Sequence, residues 1–316
     1  MNMKNQSSSW KGYVFVGLAA LCWASSGTAA KFLFQSGVTS FELVQLRITL
    51  ASTLLLLWLW LRQPERLKIA RQDVLYFFIL GGGAMASVQF TYLFAISKIH
   101  VAAAILLQYL APVFIVLHAV IFAREALHRS TLLAMVGTLF GCYLVVGAYN
   151  LDLLRMNRLG ILTGVLSGVS FAWYSLQGEY GMRRYHPRTV HFYSLAFAAV
   201  TWNILQAPFT AFFHSYSLTA WGWILYVAIV GTLLPFGLYF EGVNLIRSTR
   251  ASIAATLEPI GAGILAYLFL REYMAWLQIL GGILVIAAVI YLQLTQEHDE
   301  QAPDLLREKA NARSQS

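Results

Sequence analysis

The chain has 316 residues, of which 59% are hydrophobic and only 11% are charged, and its mean hydropathy is +0.64. Soluble domains carry about 25% charged residues, so this composition excludes a soluble globular protein and predicts a lipid bilayer as its surroundings. A net charge of +8 would suggest a nucleic-acid partner for a soluble chain. In a membrane protein the same cations are explained as residues that keep loops in the cytoplasm, so we expect no nucleic acid.

Ten apolar runs of about 18 to 24 residues follow one another along the chain, each long enough to cross a bilayer. The predicted spans are 13–34, 40–61, 73–96, 100–122, 130–148, 159–180, 188–213, 219–241, 250–270 and 276–294. The first run is too long for the apolar segment of a signal peptide. The polar ends, 1–11 and 296–316, are predicted to be tails, and the second, rich in charge, to be disordered.

The direction of insertion follows from the placement of the cations. If the N-terminus lies in the cytoplasm, sixteen of the 22 Lys and Arg residues fall on cytoplasmic segments and five on outer segments, while Arg47 falls within a span. Positive charge is retained on the cytoplasmic side of membranes. Both termini are therefore predicted to be cytoplasmic.

The sequence repeats itself at a constant offset of 147 positions, since Tyr92 realigns on Tyr239. The identical pairs in the two copies are Tyr92 and Tyr239, Ile99 and Ile246, Ala104 and Ala251, Leu110 and Leu257, Pro112 and Pro259, Ala119 and Ala266, Phe122 and Phe269, and Arg124-Glu125 and Arg271-Glu272. Each copy holds five spans, an odd number, so the copies insert with opposite orientations. Inverted repeats of this kind are typical of secondary transporters.

These observations predict an all-α membrane protein with ten transmembrane helices, arranged as two inverted five-helix repeats around a central cavity. The first repeat is assigned to 12–149 and the second to 159–295, joined by the loop between the fifth and sixth spans. The two halves are expected to interlock, so neither should fold alone.

Glycines recur at every fourth residue in two spans. Gly160, Gly164 and Gly168 share a face of the sixth span, and Gly137 and Gly141 share a face of the fifth. Glycines at this spacing let helix backbones approach closely. Packing within the bundle explains both sets; a contact between two copies of the chain through the fifth span, giving a homodimer, is the alternative.

Two ionisable residues lie deep in the predicted spans, where charge costs about 2.5 to 3.5 kcal/mol on insertion scales and marks function by default. Glu258 immediately precedes Pro259 in the ninth span, and a proline there breaks the helix and frees backbone carbonyls. This combination suits an amine or a proton, so Glu258 is our candidate for proton coupling. Arg47, in the second span, can bind a carboxylate through two parallel hydrogen bonds. For each, pairing with a neighbouring span is the alternative, and for Arg47 a further alternative is a side chain that extends to the membrane surface.

Other polar and aromatic side chains lie at similar depth. Rings suit a pocket for an organic solute, and buried amides either bridge helices or point into such a pocket. Gln108 and Tyr109 precede Pro112, the repeat partner of Pro259, and both prolines are predicted helix breaks. The further candidate substrate-binding residues are Trp23, Gln89, Tyr92, Trp173, Tyr174 and Tyr239.

The sequence contains no motif of a catalytic site, a nucleotide-binding loop or a metal site. Its two cysteines, Cys22 and Cys142, lie within apolar runs and offer neither a disulfide framework nor a ligand pair. We therefore predict no enzymatic activity, no cofactor and no metal. Without an ATP site, transport would be driven by a gradient of solute or protons.

Short motifs in several spans resemble the drug/metabolite transporter superfamily, EamA type. They are Cys22-Trp23-Ala24-Ser25-Ser26-Gly27 ending at Lys31, Arg47-Ile48-Thr49, Pro112 with Arg124-Glu125, and Leu257-Glu258-Pro259 with Arg271-Glu272. The resemblance covers about 12–295 and departs at Ala24, where the family usually has Gly. It implies ten helices in two inverted repeats, with the third, fourth, eighth and ninth spans around the cavity.

The resemblance also implies a location in the bacterial inner membrane and a role in exporting amino acids or other metabolites. Phosphorylated solutes need several cations at depth, and Arg47 is the one firm candidate, opposed by Glu258. A zwitterion or amine therefore fits better than a polyanion. Efflux of hydrophobic cations, recognised by Glu258 and the rings, is the alternative.

Overall fold

The computed structural model describes residues 3–124, 127–150, 157–265, 275–295 and 302–315. Within these residues the regular structure is helical and no strand forms. The α-helices are α1 (Met3–Gln35), α2 (Ser40–Arg62), α3 (Val74–Phe78), α4 (Ala86–Lys98), α5 (Val101–Gln108), α6 (Ala111–Ile121), α7 (Arg129–Val145), α8 (Arg158–Met182), α9 (Pro187–Leu205), α10 (Leu218–Ala228), α11 (Leu234–Ala255), α12 (Glu258–Leu265), α13 (Trp276–Leu294) and α14 (Pro303–Gln315).

Helices α1 to α13 build ten membrane spans. Single helices make the first, second, fifth, sixth, seventh and tenth spans (α1, α2, α7, α8, α9 and α13). The third span is α3 and α4 joined by a π-helix, Ile79–Met85, and the fourth is α5 and α6. A second π-helix, Ile229–Leu233, joins α10 to α11 in the eighth span. The ninth span is formed by the part of α11 that follows Arg247 together with α12. Seven helical stretches of the described residues are individually long and apolar enough to cross a bilayer.

A backbone kink separates the eighth and ninth spans. Helical structure runs for 38 residues over Leu218–Ala255, which at about 1.5 Å per residue is far longer than the hydrocarbon layer. Arg247 breaks the run with φ 65° and ψ 163°. The buried carboxylate of Glu179 in α8 holds the break, because it accepts hydrogen bonds from the Arg247 Nε at 3.0 Å and from the Ser248 amide at 2.8 Å.

Helix contacts follow the inverted repeat. The third span packs on the sixth through α4 and α8, and the first packs on the eighth through α1 and α11. The two contacts are equivalent, because each joins the first span of one half to the third span of the other half. The other two large contacts, α2 with α9 and α7 with α13, each join equivalent spans.

The same symmetry holds for individual residues at the closest approaches. A Cβ added at Gly12 in α1 would lie 2.6 Å from Ile246, and one added at Gly160 in α8 would lie 2.6 Å from Ile99. Ile99 and Ile246 are repeat partners. Each half therefore places a glycine at the start of its first span against the same isoleucine of the other half. The interlocking of the halves is built on these contacts.

Both ends of the chain differ from the predicted tails. α1 begins at Met3, so the N-terminal segment continues the first helix. At the other end, the segment predicted as a disordered tail, 296–316, contains the helix α14. Arg307 of α14 donates hydrogen bonds to the Met182 and Tyr185 carbonyls at 2.6 and 3.0 Å. Carbonyls at a helix end lack intrahelical partners, and a cation satisfies those after α8. Charge content alone does not reveal that docking.

The glycines of the fifth and sixth spans pack within the chain. A Cβ at Gly141 would lie 2.6 Å from Val285 and 2.9 Å from the Gly281 carbonyl of α13. One at Gly164 would lie 2.6 Å from Leu107. The glycine face of α7 is therefore occupied by the tenth span, which supports packing within the bundle as the explanation of these glycines.

Part of the predicted repeat lies outside the described residues. This holds for the second Arg-Glu pair, Arg271-Glu272, for Glu125 of the first pair, and for the connecting segment 151–156.

Candidate functional site

A cavity lies between the two halves, next to two helix breaks, and contains about 570 Å³ of empty space, its opening included. Its wall is formed by side chains from the first, second, third, fourth, sixth, eighth and ninth spans. They are Trp23, Ser26, Arg47, Val88, Gln89, Tyr92, Gln108, Tyr109, Ala111, Pro112, Phe171, Phe236, Ser252, Ala255 and Glu258.

The two helix breaks are equivalent positions of the repeat. α5 ends at Gln108 and α6 begins at Ala111, while α11 ends at Ala255 and α12 begins at Glu258. Each break comes before the proline of its copy, since a ring without an N–H is tolerated in the first turn of a helix. Two helix N-termini therefore border the cavity. Discontinuous helices of this kind form the binding sites of many transporters.

Glu258 is the first residue of α12, where the helix dipole favours a negative charge. Its side chain is 5% exposed, and Oε2 accepts a hydrogen bond from the Tyr109 hydroxyl at 3.0 Å. Within the described residues no cationic side chain pairs with it. The alternative of a structural ion pair therefore finds no support in the described part of the chain.

Arg47 of α2 also lines this cavity. It is 3% exposed, and its guanidinium donates to the Thr232 hydroxyl at 2.7 Å and to the Gly231 carbonyl at 2.7 Å. Both acceptors belong to the π-helix of the eighth span, whose widened turn frees carbonyls from the helical ladder. These partners are neutral, so they orient the guanidinium without neutralising it, and it forms no ion pair with any described residue.

Uncommitted polar groups lie between these two charges. The Tyr92 hydroxyl and the Gln108 amide line the cavity and make no hydrogen bond to another described residue. Among the described residues, the Gln89 amide makes one hydrogen bond, to the Met85 sulfur at 3.7 Å. The cavity therefore offers a cation, a carboxylate and neutral donors and acceptors to an entering molecule.

Aromatic rings form the remaining wall. Trp23 packs edge-on against Phe171 and Phe236, with ring centroids 5.9 and 5.1 Å apart. Offset and edge-on ring pairs of this kind are favourable and rigid. They make part of the cavity wall apolar.

Three predicted residues do not line the cavity. Tyr239 is fully buried behind Trp23, and its hydroxyl bonds Ser175. Tyr174 is fully buried and stacks on Phe240. Trp173 is 38% exposed and packs against Gly83 on the third span. Successive residues of a helix are rotated by about 100°. Trp173 and Tyr174 therefore lie on other faces of α8 than Phe171, which lines the cavity.

Several lining residues escaped the sequence analysis because they are apolar or small. These are Ser26, Val88, Ala111, Phe171, Phe236, Ser252 and Ala255. The repeat contained a signal for three of them: the offset of 147 carries Gln89 onto Phe236, Gln108 onto Ala255, and Ala111 onto Glu258. Candidates in one half thus predict lining positions in the other.

Among the described residues, no cluster of three or more His, Cys, Asp or Glu side chains is placed to hold a metal ion. Both cysteines are free, and Cys142 is buried against the Thr256 carbonyl at 3.7 Å.

Comparison with known proteins gives the same architecture. The model of the EamA-like transporter family matches the chain twice, over 10–147 and 158–294. A solved crystal structure superposes with a TM-score of 0.71 at 18% identity, covering 91% of this chain and 96% of that one, which shows a shared fold.

Three curated relatives span most of the chain. An uncharacterized inner membrane transporter, YicL of Salmonella typhimurium, is 28% identical over 93% of this chain and 99% of its own length. The pseudopaline exporter CntI of Pseudomonas aeruginosa is 28% identical over 77% and 83%. The threonine/homoserine exporter RhtA of Salmonella typhimurium is 25% identical over 91% and 93%.

Proposed function

Since this chain belongs to the EamA-like transporter family and is therefore a multi-pass membrane transporter, we propose that it exports amino acids or related zwitterionic metabolites from the cytoplasm. Export would be secondary-active, across the inner membrane, and would proceed by alternating access of the two halves to the central cavity. The names of CntI and RhtA, both exporters, support the direction of transport.

The observation that carries this proposal is that Arg47 and Glu258 both line one cavity. They approach from different spans, carry opposite charges, and form no ion pair within the described residues. Buried charges without a counter-charge are costly. A molecule that brings a carboxylate to Arg47 and an ammonium to Glu258 offsets both costs at once, whereas a simple amine or acid offsets one.

Coupling to protons follows from the surroundings of Glu258. Tyr109 supplies one hydrogen bond to Oε2, and the charge of the carboxylate is balanced by either a bound ammonium or a proton. Binding of one therefore competes with binding of the other. Such competition at one carboxylate lets an inward proton gradient drive the amine outward.

Efflux of hydrophobic cations remains the second candidate, because five aromatic rings line the cavity. They belong to Trp23, Tyr92, Tyr109, Phe171 and Phe236. Rings and a carboxylate attract organic cations. Arg47 weighs against it, since a lone cation would meet a second positive charge in a space of low dielectric constant.

The test is a thermal-shift panel built from matched triplets: an amino acid, the amine it gives on decarboxylation, and the acid it gives on deamination. A ligand that binds the folded protein raises the melting temperature. We expect at least one amino acid to raise the melting temperature more than its amine and more than its acid. In Arg47→Gln, the amino acid and its amine should raise the melting temperature equally. In Glu258→Gln, the amino acid and its acid should do so.

The exposed Glu308 of α14 provides the control variant Glu308→Gln, which should behave as the wild type. Stabilisation by several unrelated organic cations, with amino acids inactive, would establish the second candidate. A panel in which both cavity variants keep the wild-type pattern would refute the assignment of this cavity as the binding site.

A further inference from the structure

The central cavity does not lie symmetrically between the two halves. Three of its lining residues have repeat partners that do not line it. These residues and their partners are Ser26 and Trp173, Arg47 and Ser194, and Tyr92 and Tyr239. Partners in an inverted repeat lie at matching depths on opposite sides of the bilayer midplane. We call the bundle face at which α1 begins and α13 ends the terminal side, and the opposite face the far side. The cavity is displaced toward the far side.

The terminal side is tightly packed next to the cavity. Tyr239 is fully buried behind Trp23, and its hydroxyl lies 2.8 Å from the Ser175 Oγ. Nearly one helical turn further along α8, a Cβ added at Gly178 would clash with the Phe240 ring. Contacts between the sixth and eighth spans therefore close this side.

Glu179 ties this packed region to the start of the ninth span. Its buried carboxylate accepts hydrogen bonds from the Arg247 Nε at 3.0 Å, the Ser248 amide at 2.8 Å and the Ser248 hydroxyl at 2.5 Å. Arg183 adds an ion pair at 3.5 Å. Hydrogen bonds to ionised groups are about twice as strong as neutral ones. Ser248 is the first residue after the kink, so the contact fixes the terminal end of the ninth span.

Arg247 is held in a strained conformation at this contact. Its φ of 65° and ψ of 163° lie in a region of backbone conformation that suits glycine. The repeat partner of Arg247 is His100, which has a relaxed φ of −62° and ψ of 140°. Strain of this kind persists where surrounding contacts over-determine it, and it is common in switch regions. Release by Glu179 would let the turn between the eighth and ninth spans relax.

The first half has a weaker contact at the equivalent place on the far side. Lys31, near the end of the first span, is the repeat partner of Gly178, the neighbour of Glu179. Its side chain is half-buried, and its Nζ donates a hydrogen bond to the Ile96 carbonyl at 3.1 Å. The turn between the third and fourth spans is thus held less firmly than the turn between the eighth and ninth.

We propose that Glu179 is a latch that keeps the terminal side closed in the protein without solute, and that transport requires its release from Arg247 and Ser248. This inference rests on the alternating access of the proposed function, but not on the identity of the solute. Opening of one side in such a cycle breaks contacts on that side. Because Glu179 and Lys31 hold equivalent turns, their relative strength sets which side opens more readily.

The test measures how fast single cysteines react with a water-soluble maleimide in the purified full-length protein, in detergent and without solute. The background carries Cys22→Ser and Cys142→Ser. Ser175→Cys reports on the terminal side, where Ser175 is fully buried. Val101→Cys reports on the far side, where the Val101 side chain faces Gly27 of α1. A buried cysteine reacts in proportion to the population of the open state.

Glu179→Gln should raise the reaction rate of Ser175→Cys without raising that of Val101→Cys. The expected increase is roughly 10- to 100-fold, the factor for losing a hydrogen bond to a charged group. Lys31→Met should give the opposite pattern, with a faster reaction of Val101→Cys. The matched control is Glu65→Gln, which removes an exposed carboxylate and should change neither rate.

Ser248→Ala tests the same contact with its charges intact, and it decides the matter if Glu179→Gln does not fold. It removes one donor to the carboxylate and should raise the rate of Ser175→Cys by a smaller factor than Glu179→Gln.

An unchanged rate of Ser175→Cys in the latch variants would overturn the proposal. So would an equal rise at both reporter cysteines, because it would show a general loosening of the bundle. If Lys31→Met acts like Glu179→Gln, the two contacts are not equivalent and the proposal fails. Since no solute is added, these outcomes are separate from those of the thermal-shift panel, which tests the central cavity.

Discussion

At the scale of single residues, the cavity combines two buried charges that are oriented by neutral partners. The π-helix of the eighth span supplies Gly231 and Thr232 to Arg47, and the break before α12 brings Tyr109 to Glu258. Hydrogen bonds to neutral groups fix direction but leave charge uncompensated. The charges are therefore available to a ligand, and the orienting residues can be tested apart from the charged ones.

Thr232→Val should weaken binding of carboxylate-bearing ligands through Arg47 alone. Valine has nearly the same shape but removes the acceptor of the Arg47 Nε. A hydrogen bond to a charged group contributes about 1.5 to 3 kcal/mol, or roughly 10- to 100-fold in affinity. Affinity for an amino acid should fall by that factor while affinity for its decarboxylated amine changes little. Thr138→Val, at a buried threonine of α7 that is not among the lining residues of the cavity, is the control; equal losses for both ligands would contradict the positioning role.

Glu258→Gln should remove the pH dependence of transport in proteoliposomes. The amide cannot exchange a proton in the physiological range, so a proton gradient should no longer drive uphill export, while exchange of solute for solute persists at a lower rate. The measurement is efflux of a radiolabelled substrate with and without an imposed pH gradient. A variant that still concentrates substrate in response to the gradient would exclude Glu258 as the coupling residue.

At the scale of helices, the fold depends on close approach at a few glycines. Where α7 crosses α13, a Cβ at Gly141 would meet backbone atoms as well as the Val285 side chain, and backbone cannot rotate away as a side chain can. Overpacking of this kind costs about 1 to 3 kcal/mol. The fifth and tenth spans are thus held by close shape, and the Gln278 side chain of α13 adds a hydrogen bond to the Val145 carbonyl of α7 at 3.0 Å.

Gly141→Ala should lower the melting temperature of the purified protein. Gly222→Ala is a matched control, since Gly222 lies within α10 and has no atom within 4 Å of its added Cβ; it should leave stability unchanged or raise it through helix propensity, by up to about 1 kcal/mol. Differential scanning fluorimetry in detergent measures both. Equal midpoints for the two variants would show that α7 and α13 separate without cost.

At the scale of the whole molecule, the inverted repeat determines which spans of the two halves contact each other. The first span of each half packs against the third span of the other half, through Gly12 with Ile246 and Gly160 with Ile99. Such an exchange of partners makes each half incomplete without the other. The alternating access that we propose would therefore move spans of both halves about the shared cavity.

The predicted orientation can be measured by labelling single cysteines in intact cells with a membrane-impermeant maleimide. In a background of Cys22→Ser and Cys142→Ser, Ser215→Cys between α9 and α10 should react from outside. Gln72→Cys before α3 should react only after lysis; both positions are exposed in the structure. This expectation rests on the rule that positive charge on short loops sets orientation. The reverse labelling pattern would place both termini outside, since the segment before α3 is predicted to lie on the same side as the termini.

The sequence alone determined the class of protein, the number of spans, the repeat, and Glu258, Arg47 and the two prolines as notable residues. Hydrophobic runs of fixed length and charges at depth are strong one-dimensional signals, because a bilayer imposes both. The breaks near Pro112 and Pro259 follow for the same local reason, since a proline ring disrupts a helix wherever the helix lies.

Only the tertiary structure decided which side chains meet. It placed Arg47 and Glu258 in one cavity, turned Trp173, Tyr174 and Tyr239 away from it, and docked α14 on the carbonyls after α8. Rotation of a helix about its axis and the register between spans depend on packing against partners distant in sequence. A π-helix of one extra residue per turn shifts which face points inward. A single sequence carries no direct signal for that rotation, although the repeat, read residue by residue, carries part of it.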